Sequence, residues 1–389
     1  MTGGIACYKA VALARLLAQA GARVDVVLTR SASEFIGEVT FEGVTGRPVH
    51  SALVAAGHGL DHIRLARGAD LVVVAPATAD FCARAGQGRS DDLLGAVLLA
   101  TKAPVLIVPA MNDRMWAHPQ SAVHAERLRE IGYTVLDPDT GALAAGEGEG
   151  PGRMPEPPAI LAQGARMLAP DGALIGRRVL VTAGPTQEPL DPVRFISNRS
   201  SGRMGIALAE AAWQRGAEVV LVAGPVSVAL PVGPRIVHVE TTAEMHSAVA
   251  EHLPDSDVLI MAAAPADYRV ATPAAQKLKK TGAPPSLLLE TTPDILKSTR
   301  ENRRAGAVIV GFALETERLE ENARAKLETK GLDLIVANSA IQSGAGFGTT
   351  TNRVSMYSSR EEPQHLPLMP KEEVAHAILD RVETLLGGR

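Results

Sequence analysis

The stretch SSGRMGIALAEAAWQRGAEVVLV, from Ser200 to Val222, decides the fold. It opens on a turn of small residues and continues as an Ala-rich helix from about Met204 to Arg215. It then breaks at Gly216-Ala217 and ends in the apolar run Glu218 to Val222. Turn, crossover helix and buried strand in that order form the unit of a parallel doubly wound sheet. The same order appears near Met1, where Thr2-Gly3-Gly4-Ile5 leads into a helix over Lys9 to Ala20, a Gly-Ala break and the strand Val24 to Leu28. Six further runs fit the scheme: Leu71 to Val74, Val105 to Val108, Val179 to Val181, Val258 to Met261, Val308 to Val310 and Leu334 to Val336. They are apolar throughout, as in strands covered on both faces. The sequence therefore predicts an α/β protein with two doubly wound, Rossmann-like parallel-sheet domains.

The segment Gly141 to Pro158 is dense in Gly, Pro and Glu and is expected to be a flap or linker without regular structure. A short helix near Ala159 to Leu168 follows, and the next strand begins near Arg177, so the domains are assigned to residues 1–168 and 174–389. A length of 389 residues suits two domains, and 46% hydrophobic residues suffice for two cores. The formal net charge of -4 supplies no basic field for nucleic acid or an anionic membrane. No apolar run can span a bilayer, and the first residues lack the charged-then-apolar pattern of a signal peptide. Cys7 and Cys82 are the only cysteines, too few for a disulfide framework or a Cys-based zinc site. A soluble cytoplasmic protein is expected.

Ligands of open parallel sheets sit beyond the carboxyl ends of the strands. After Val181 come Thr182-Ala183-Gly184-Pro185-Thr186-Gln187-Glu188-Pro189-Leu190-Asp191-Pro192-Val193-Arg194 and then Ile196 to Gly205. Ser200-Ser201-Gly202 opens a helix and offers an anion N–H groups, hydroxyls and a helix dipole, although the same turn can be a plain cap. It is no P-loop, since the Lys-Ser/Thr ending is absent. After Met261 come Ala262-Ala263-Ala264-Pro265-Ala266-Asp267-Tyr268, then Lys277-Leu278-Lys279-Lys280-Thr281-Gly282, a cationic flap suited to polyphosphate or a solvated loop. Thr292 is expected to cap the next helix, with Pro293 at its first position. Lys326 and Lys330 lie four apart on one helical face.

Thr182 to Gly205, Ala266-Asp267-Tyr268, Lys277 to Lys280, Pro293-Asp294-Ile295-Leu296 and Gly311-Phe312-Ala313 closely resemble the phosphopantothenate–cysteine ligases, over nearly all of Arg177 to Gly387. The resemblance implies that CTP and 4'-phosphopantothenate form an acyl-cytidylate, from which cysteine displaces CMP. It implies Lys277 on the activated phosphoryl or acyl group and Asn198 positioning the substrate or acyl-cytidylate. Met261, Ala262, Ala263, Asp267, Lys277, Pro293, Asp294, Ile295, Leu296, Phe312, Lys326 and Lys330 would line the CTP site. Mg2+ is implied for charge neutralisation, its ligands unassigned. Arg203 stands where Lys is usual, which keeps the charge and changes its geometry.

In the first domain, Thr2 to Ala6, Thr29-Arg30-Ser31, Asp61-His62-Ile63, Ala75 to Asp80, Ser90 to Leu94 and Pro109-Ala110-Met111-Asn112 each lie past a strand or open a helix. Together they resemble the flavin-dependent cysteine decarboxylases, from Met1 to about Pro157. The resemblance implies a flavodoxin-like domain with FMN held by Gly3, Gly4, Ile5, Thr29, Ser31, Thr78, Ala79, Asp80, Phe81 and Ala110. His62 would act in thiol oxidation and Asn112 would hold the substrate carboxylate. Two departures stand out. The family's flap Cys, the final proton donor, is replaced by Ala145 or Gly146; this predicts stalling at an enethiol, or a substitute acid such as Glu147. The family's first central strand, ahead of Thr2-Gly3-Gly4, is missing from this sequence, so residues upstream of Met1 are expected, and a chain this short would hold FMN weakly.

The pair of resemblances implies a bifunctional enzyme of coenzyme A biosynthesis acting on small molecules, with trimeric flavin domains and dimeric ligase domains. The alternatives are a ligase with the flavin domain as scaffold, a regulatory protein on an inactive flavin domain, and a nicotinamide dehydrogenase. No acidic tail supports the second, and no Gly-x-Gly-x-x-Gly follows a strand to support the third.

Overall fold

The computed structural model describes the chain except residues 55–58, 170–171, 280–285, 316, 340–345, 347, 360 and 388–389. It divides into two compact units, Met1–Leu168 and Ala169–Arg389.

In the first unit, β1 (Val26–Val27) pairs in parallel with β2 (Val49–His50). A second parallel sheet has the order β3 (Val72–Ala77), β4 (Val105–Pro109) and β5 (Thr134–Val135). Met1 and Thr2 lie between the two sheets. The Met1 nitrogen donates to Val27 O at 2.8 Å, Thr29 N–H to Met1 O at 3.1 Å, and Thr2 N–H to Pro76 O at 3.1 Å. Only Val26–Val27 of the expected strand Val24–Leu28 is paired as strand. Side chains of β3 and β4 alternate between two cores: Val72, Val74 and Ile107 pack with Phe81, Leu94 and Leu128, whereas Ala75, Leu106 and Val108 pack with Leu13, Met154 and Ile160. Burial on both faces is what an apolar-throughout strand satisfies.

The segment expected to be irregular is a hairpin, β6 (Asp139–Ala142) against β7 (Glu149–Arg153). Glycine makes it possible. Gly152 has φ +139°, and an added Cβ there would lie 2.3 Å from Met111 O. Its own carbonyl accepts from Met111 N–H at 2.9 Å. A composition that discourages an isolated strand thus serves one pressed against a distant loop.

The second unit is built on an eight-stranded sheet. Its strands are β8 (Arg178–Ala183), β11 (Glu218–Ala223), β12 (Arg235–His238), β13 (Val258–Met261), β16 (Val308–Glu315), β17 (Leu334–Ser339), β19 (Ser355–Tyr357) and β20 (Gln364–His365), in the order β12-β11-β8-β13-β16-β17-β19-β20. The first six are parallel and the last two antiparallel. Val179, Val181, Ile260 and Val310 face the helices Arg203–Gln214 and Lys371–Gly387, while Leu180, Leu259 and Ile309 face Thr242–His252 and Leu319–Thr329. Each such side chain, once buried, stabilises the unit by about 1.5–3 kcal/mol. Among the described residues, three small antiparallel pairs lie outside this sheet: β9 (Gln187–Asp191) with β10 (Arg194–Ser197), β14 (Tyr268–Val270) with β15 (Leu289–Thr291), and β18 (Thr351–Asn352) with β21 (Met369–Pro370). The first two occupy segments that read as loops in sequence.

Candidate active sites

In the second unit the loops beyond β8 and β13 are stitched together. Pro185 bridges to Ala264, and Ala264 N–H donates to Gly184 O at 2.9 Å. Thr182 Oγ1 accepts from Ala263 N–H at 3.1 Å, and Thr186 Oγ1 from Ala266 N–H at 2.9 Å. Beneath them Glu188, 2% exposed, accepts from Thr242 N–H and Oγ1, both at 2.8 Å. Thr242 spends its hydroxyl proton there, so it accepts from Thr186 Oγ1, 2.8 Å away. The carboxylate also sits at the positive end of helix Thr242–His252. A hydrogen bond to a charged group is worth about 1.5–3 kcal/mol, so this network holds the strand-end loops firmly.

Asn198 stands on that frame. Its Nδ2 donates to the carbonyls of Ala264 and Pro265 at 3.1 and 2.9 Å, which places it beside the loop carrying Asp267. Helix Arg203–Gln214 arrives at the same point because Gly205 lets it press on β8, where a Cβ would meet Ala183 Cβ and Thr182 O at 2.6 Å. Gly202, at φ +77°, caps it, and Val226 Cγ1 occupies the space a Cβ at Gly202 or Gly184 would need.

A second group gathers on the neighbouring strands. Met261 pairs in register with Gly311, so Phe312 lies beside Ala262 and Ala263 at the end of the adjacent strand. Asp294 caps the short helix Ile295–Ser298 and pairs with Lys330 at 3.3 Å. Lys326 pairs with Glu315 at 2.6 Å. Arg303 donates to Leu296 O at 2.8 Å, Lys330 O at 3.1 Å and Gly331 O at 2.7 Å, joining the two segments. One expectation changes here. The helix cap is Asp294 instead of Thr292, because the helix begins at Ile295 and leaves Pro293 outside; the Thr292 hydroxyl donates to Ala266 O at 2.5 Å instead. Lys330 is the C-cap residue of the helix Leu319–Thr329, still in helical conformation, and its N–H donates to Lys326 O at 3.1 Å, so the two lysines stay one turn apart. Lys277 is exposed, in a segment tied to β9 by Ala274 N–H donating to Leu190 O at 3.0 Å. Lys280, Thr281 and Gly282 lie outside the described residues.

Sequence reasoning missed Thr186, Glu188, Thr242 and Arg303. The one signal was a hydroxyl and two acids set around a proline in Thr186 to Asp191, which has no periodicity to mark it.

In the first unit the small-residue loop is a close-packed cradle. A Cβ on Gly3 would meet Ser31 at 2.5 Å, and one on Gly4 would touch Thr78 Cγ2 at 4.0 Å, so Gly3, Gly4, Ser31 and Thr78 share one place. Thr29 and Thr78 cap their helices, accepting from Ala32 and Phe81 N–H at 3.3 Å. Thr2 Oγ1 accepts from Thr78 N–H at 3.0 Å, and Ala110 N–H donates to Ala77 O at 3.0 Å. Ile5 is exposed; Ala79 and Phe81 lie in the helix that Thr78 caps, with Phe81 buried. Asp80 pairs with Arg84, which also holds Asp91 and Asp92 at 2.8 and 3.1 Å. His62 lies on helix Asp61–Gly68 with its Nδ1 buried and, among the described residues, without a hydrogen-bond partner. Asn112 caps Asp113–Trp116 through Arg114 N–H at 2.9 Å, and β7 packs on the same loop, since a Cβ at Gly150 would meet Asp113 Cβ at 2.8 Å. The hairpin tip exposes Ala145, Gly146 and Glu147. Burial pushes the Cys82 thiol up to about 12, and Cys7 is also raised by burial, so both are poor acids.

Among the described residues no group of three or more His, Cys, Asp or Glu could hold a metal ion, and no helix is long and apolar enough to cross a membrane.

Comparison with known proteins bears on both units. Residues 1–168 match the Flavoprotein family and residues 174–386 the DNA/pantothenate metabolism flavoprotein C-terminal domain. The coenzyme A biosynthesis bifunctional protein CoaBC of Vibrio cholerae is 45% identical over 97% of this chain and 95% of its own length. The crystallised C-terminal domain of a CoaBC is 41% identical, covering 56% of this chain and 100% of that one at a TM-score of 0.48. The FMN-dependent cysteine decarboxylase SpaF is 31% identical, covering 39% and 85% at a TM-score of 0.33.

Proposed function

The chain belongs to the family of bifunctional coenzyme A biosynthesis proteins, and from that premise we propose how its residues divide the work. The second unit joins 4'-phosphopantothenate to cysteine at the expense of CTP. The first decarboxylates the product to 4'-phosphopantetheine. The observation that carries the ligase reading is the stitching of Asn198 to the Ala264–Pro265 carbonyls, between the anion-binding turn at Ser200–Gly202 and the group around Asp294, Lys326 and Lys330.

A carboxylate is a poor electrophile, because oxide would be its leaving group; attachment to CMP supplies a better one. Charge developing on phosphorus needs cations held in place. Lys277 supplies that charge, and Asn198 orients the acyl-cytidylate for attack by cysteine. Met261, Ala262, Ala263, Asp267, Pro293, Asp294, Ile295, Leu296 and Phe312 line the CTP site. Lys326 and Lys330 turn from Glu315 and Asp294 to the triphosphate. Mg2+ bound to the nucleotide would supply neutralisation of its phosphate charge.

The Gly3–Gly4 cradle against Ser31 and Thr78 fits a flat ligand approaching backbone closely, and the orphaned Nδ1 of His62 fits a site that takes a polar group. Gly3, Gly4, Ile5, Thr29, Ser31, Thr78, Ala79, Asp80, Phe81 and Ala110 would hold FMN there. When bound, FMN supplies two-electron oxidation of the substrate thiol and the return of those electrons after carbon dioxide leaves. His62 moves the thiol proton, and Asn112 holds the carboxylate under β7. A second reading, a flavin half that stops at the enethiol, is favoured by a hairpin tip offering Ala145, Gly146 and Glu147 and no thiol.

Exposed Val193, Phe195, Tyr268 and Leu288 on adjoining hairpins of the second unit support its assembly as a dimer; trimeric flavin units follow from the family resemblance alone. A cytoplasmic location agrees with CTP and free cysteine as substrates.

Incubation with CTP, 4'-phosphopantothenate and cysteine should release CMP, carbon dioxide and 4'-phosphopantetheine. Carbon dioxide without 4'-phosphopantetheine would establish the stalled reading, and no CMP would overturn the ligase. Lys277→Gln should abolish CMP release.

A further inference from the structure

Asp191 ends β9 with a side chain wholly closed to solvent, yet no part of the proposed chemistry uses it. Its two oxygens do different things. Oδ1 accepts from the N–H groups of Val193 and Arg194 at 2.9 and 3.0 Å, shaping the turn into β10. Oδ2 accepts from Arg194 Nε at 3.0 Å, also from Arg194 Nη2, and from the N–H of Leu278 at 3.1 Å. Arg194 Nη2 in turn donates to Leu278 O at 2.9 Å. The carboxylate and its guanidinium thus grip one residue, Leu278, by its N–H and by its carbonyl, fixing the two successive peptide units on either side of its Cα. Leu278 immediately follows Lys277.

We infer that Asp191 is a positioning residue for the ligation, holding Lys277 in place through the backbone of Leu278. The inference rests on the role proposed for Lys277. Three observations carry it. The turn into β10 needs only Oδ1, so the Oδ2 contact serves the lysine segment. Leu278 is 38% exposed, so little burial anchors that segment by itself. A second tie, Ala274 N–H to Leu190 O at 3.0 Å, brackets Lys277 from the other side and leaves its side chain exposed. The charge arrangement agrees. The Arg194 guanidinium and the neighbouring N–H groups hold the Asp191 carboxyl well below the usual carboxylate range, so its charge is spent on Arg194 and leaves the Lys277 ammonium for an anion. Misplacing a catalytic group by about 1 Å can cost about a hundredfold in rate.

The test is Asp191→Asn in the full chain. The amide oxygen keeps the acceptor that the β10 turn requires, while its NH2 group meets Leu278 N–H and Arg194 Nε, both donors. CMP release with CTP, 4'-phosphopantothenate and cysteine should lose at least tenfold in kcat, with the KM for cysteine within twofold of the parent value. Limited trypsin digestion without substrates should cleave after Lys277 and Lys279 at least fivefold faster, and elsewhere in the second unit at an unchanged rate. Parent-like kcat, or parent-like cleavage at those lysines, would overturn the inference. Faster cleavage throughout the unit would also overturn it, by showing that Asp191 supports the whole unit. If the unaltered protein releases no CMP, the proposed function fails by itself, and the trypsin comparison still reads the clamp.

Discussion

A methyl group at Gly3 would stand 2.5 Å from the carbonyl carbon and oxygen of Ser31, closer than real carbon contacts come. Because the obstacle is backbone, no rotamer relieves it, and the cradle must open. Gly3→Ala should therefore lower the flavin content of the purified protein at least tenfold, read from its visible absorbance, while CMP release stays within twofold. Full flavin content would show that the cradle does not hold FMN. The residues proposed for the chemistry were partly legible at this scale. Asn198, Asp294 and the lysines stand out because the family resemblance assigns them roles. Glu188, Thr242 and Arg303 do not, because their work is hydrogen bonding to partners far along the chain.

Among the elements, strands apolar on both faces were readable from sequence, since each of their side chains meets a core. The hairpins were hidden. β7 is rich in Gly and gains its place from the loop around Met111 and Asn112, not from its own propensity. At Gly152, φ +139° together with the 2.3 Å approach to Met111 O leaves no room for a side chain. Such backbone strain costs about 1–3 kcal/mol. Gly152→Val should detach the hairpin and reduce carbon dioxide release at least tenfold, with CMP release unchanged. Unaltered carbon dioxide release would show that the hairpin is not needed against Asn112.

At the scale of the whole molecule, exposed Phe195 and Tyr268 on neighbouring hairpins have no core of their own in the second unit. For the proposed dimer of the second unit, Phe195→Ser should lower the mass measured by light scattering while the chain stays folded; an unchanged mass would overturn an interface at this patch. The order of the apolar core strands and their crossover helices, and with it two α/β units, was determined by the sequence alone, because periodicity and Gly breaks are local properties. The tertiary structure alone decided which loops meet. Asn198 reaches the Ala264–Pro265 carbonyls, Asp191 reaches Leu278, and Thr186, Glu188 and Thr242 share one proton chain across segments dozens of residues apart. Those contacts depend on strand order, since β8 lies between β11 and β13, and strand order is fixed by long-range packing that no local pattern encodes.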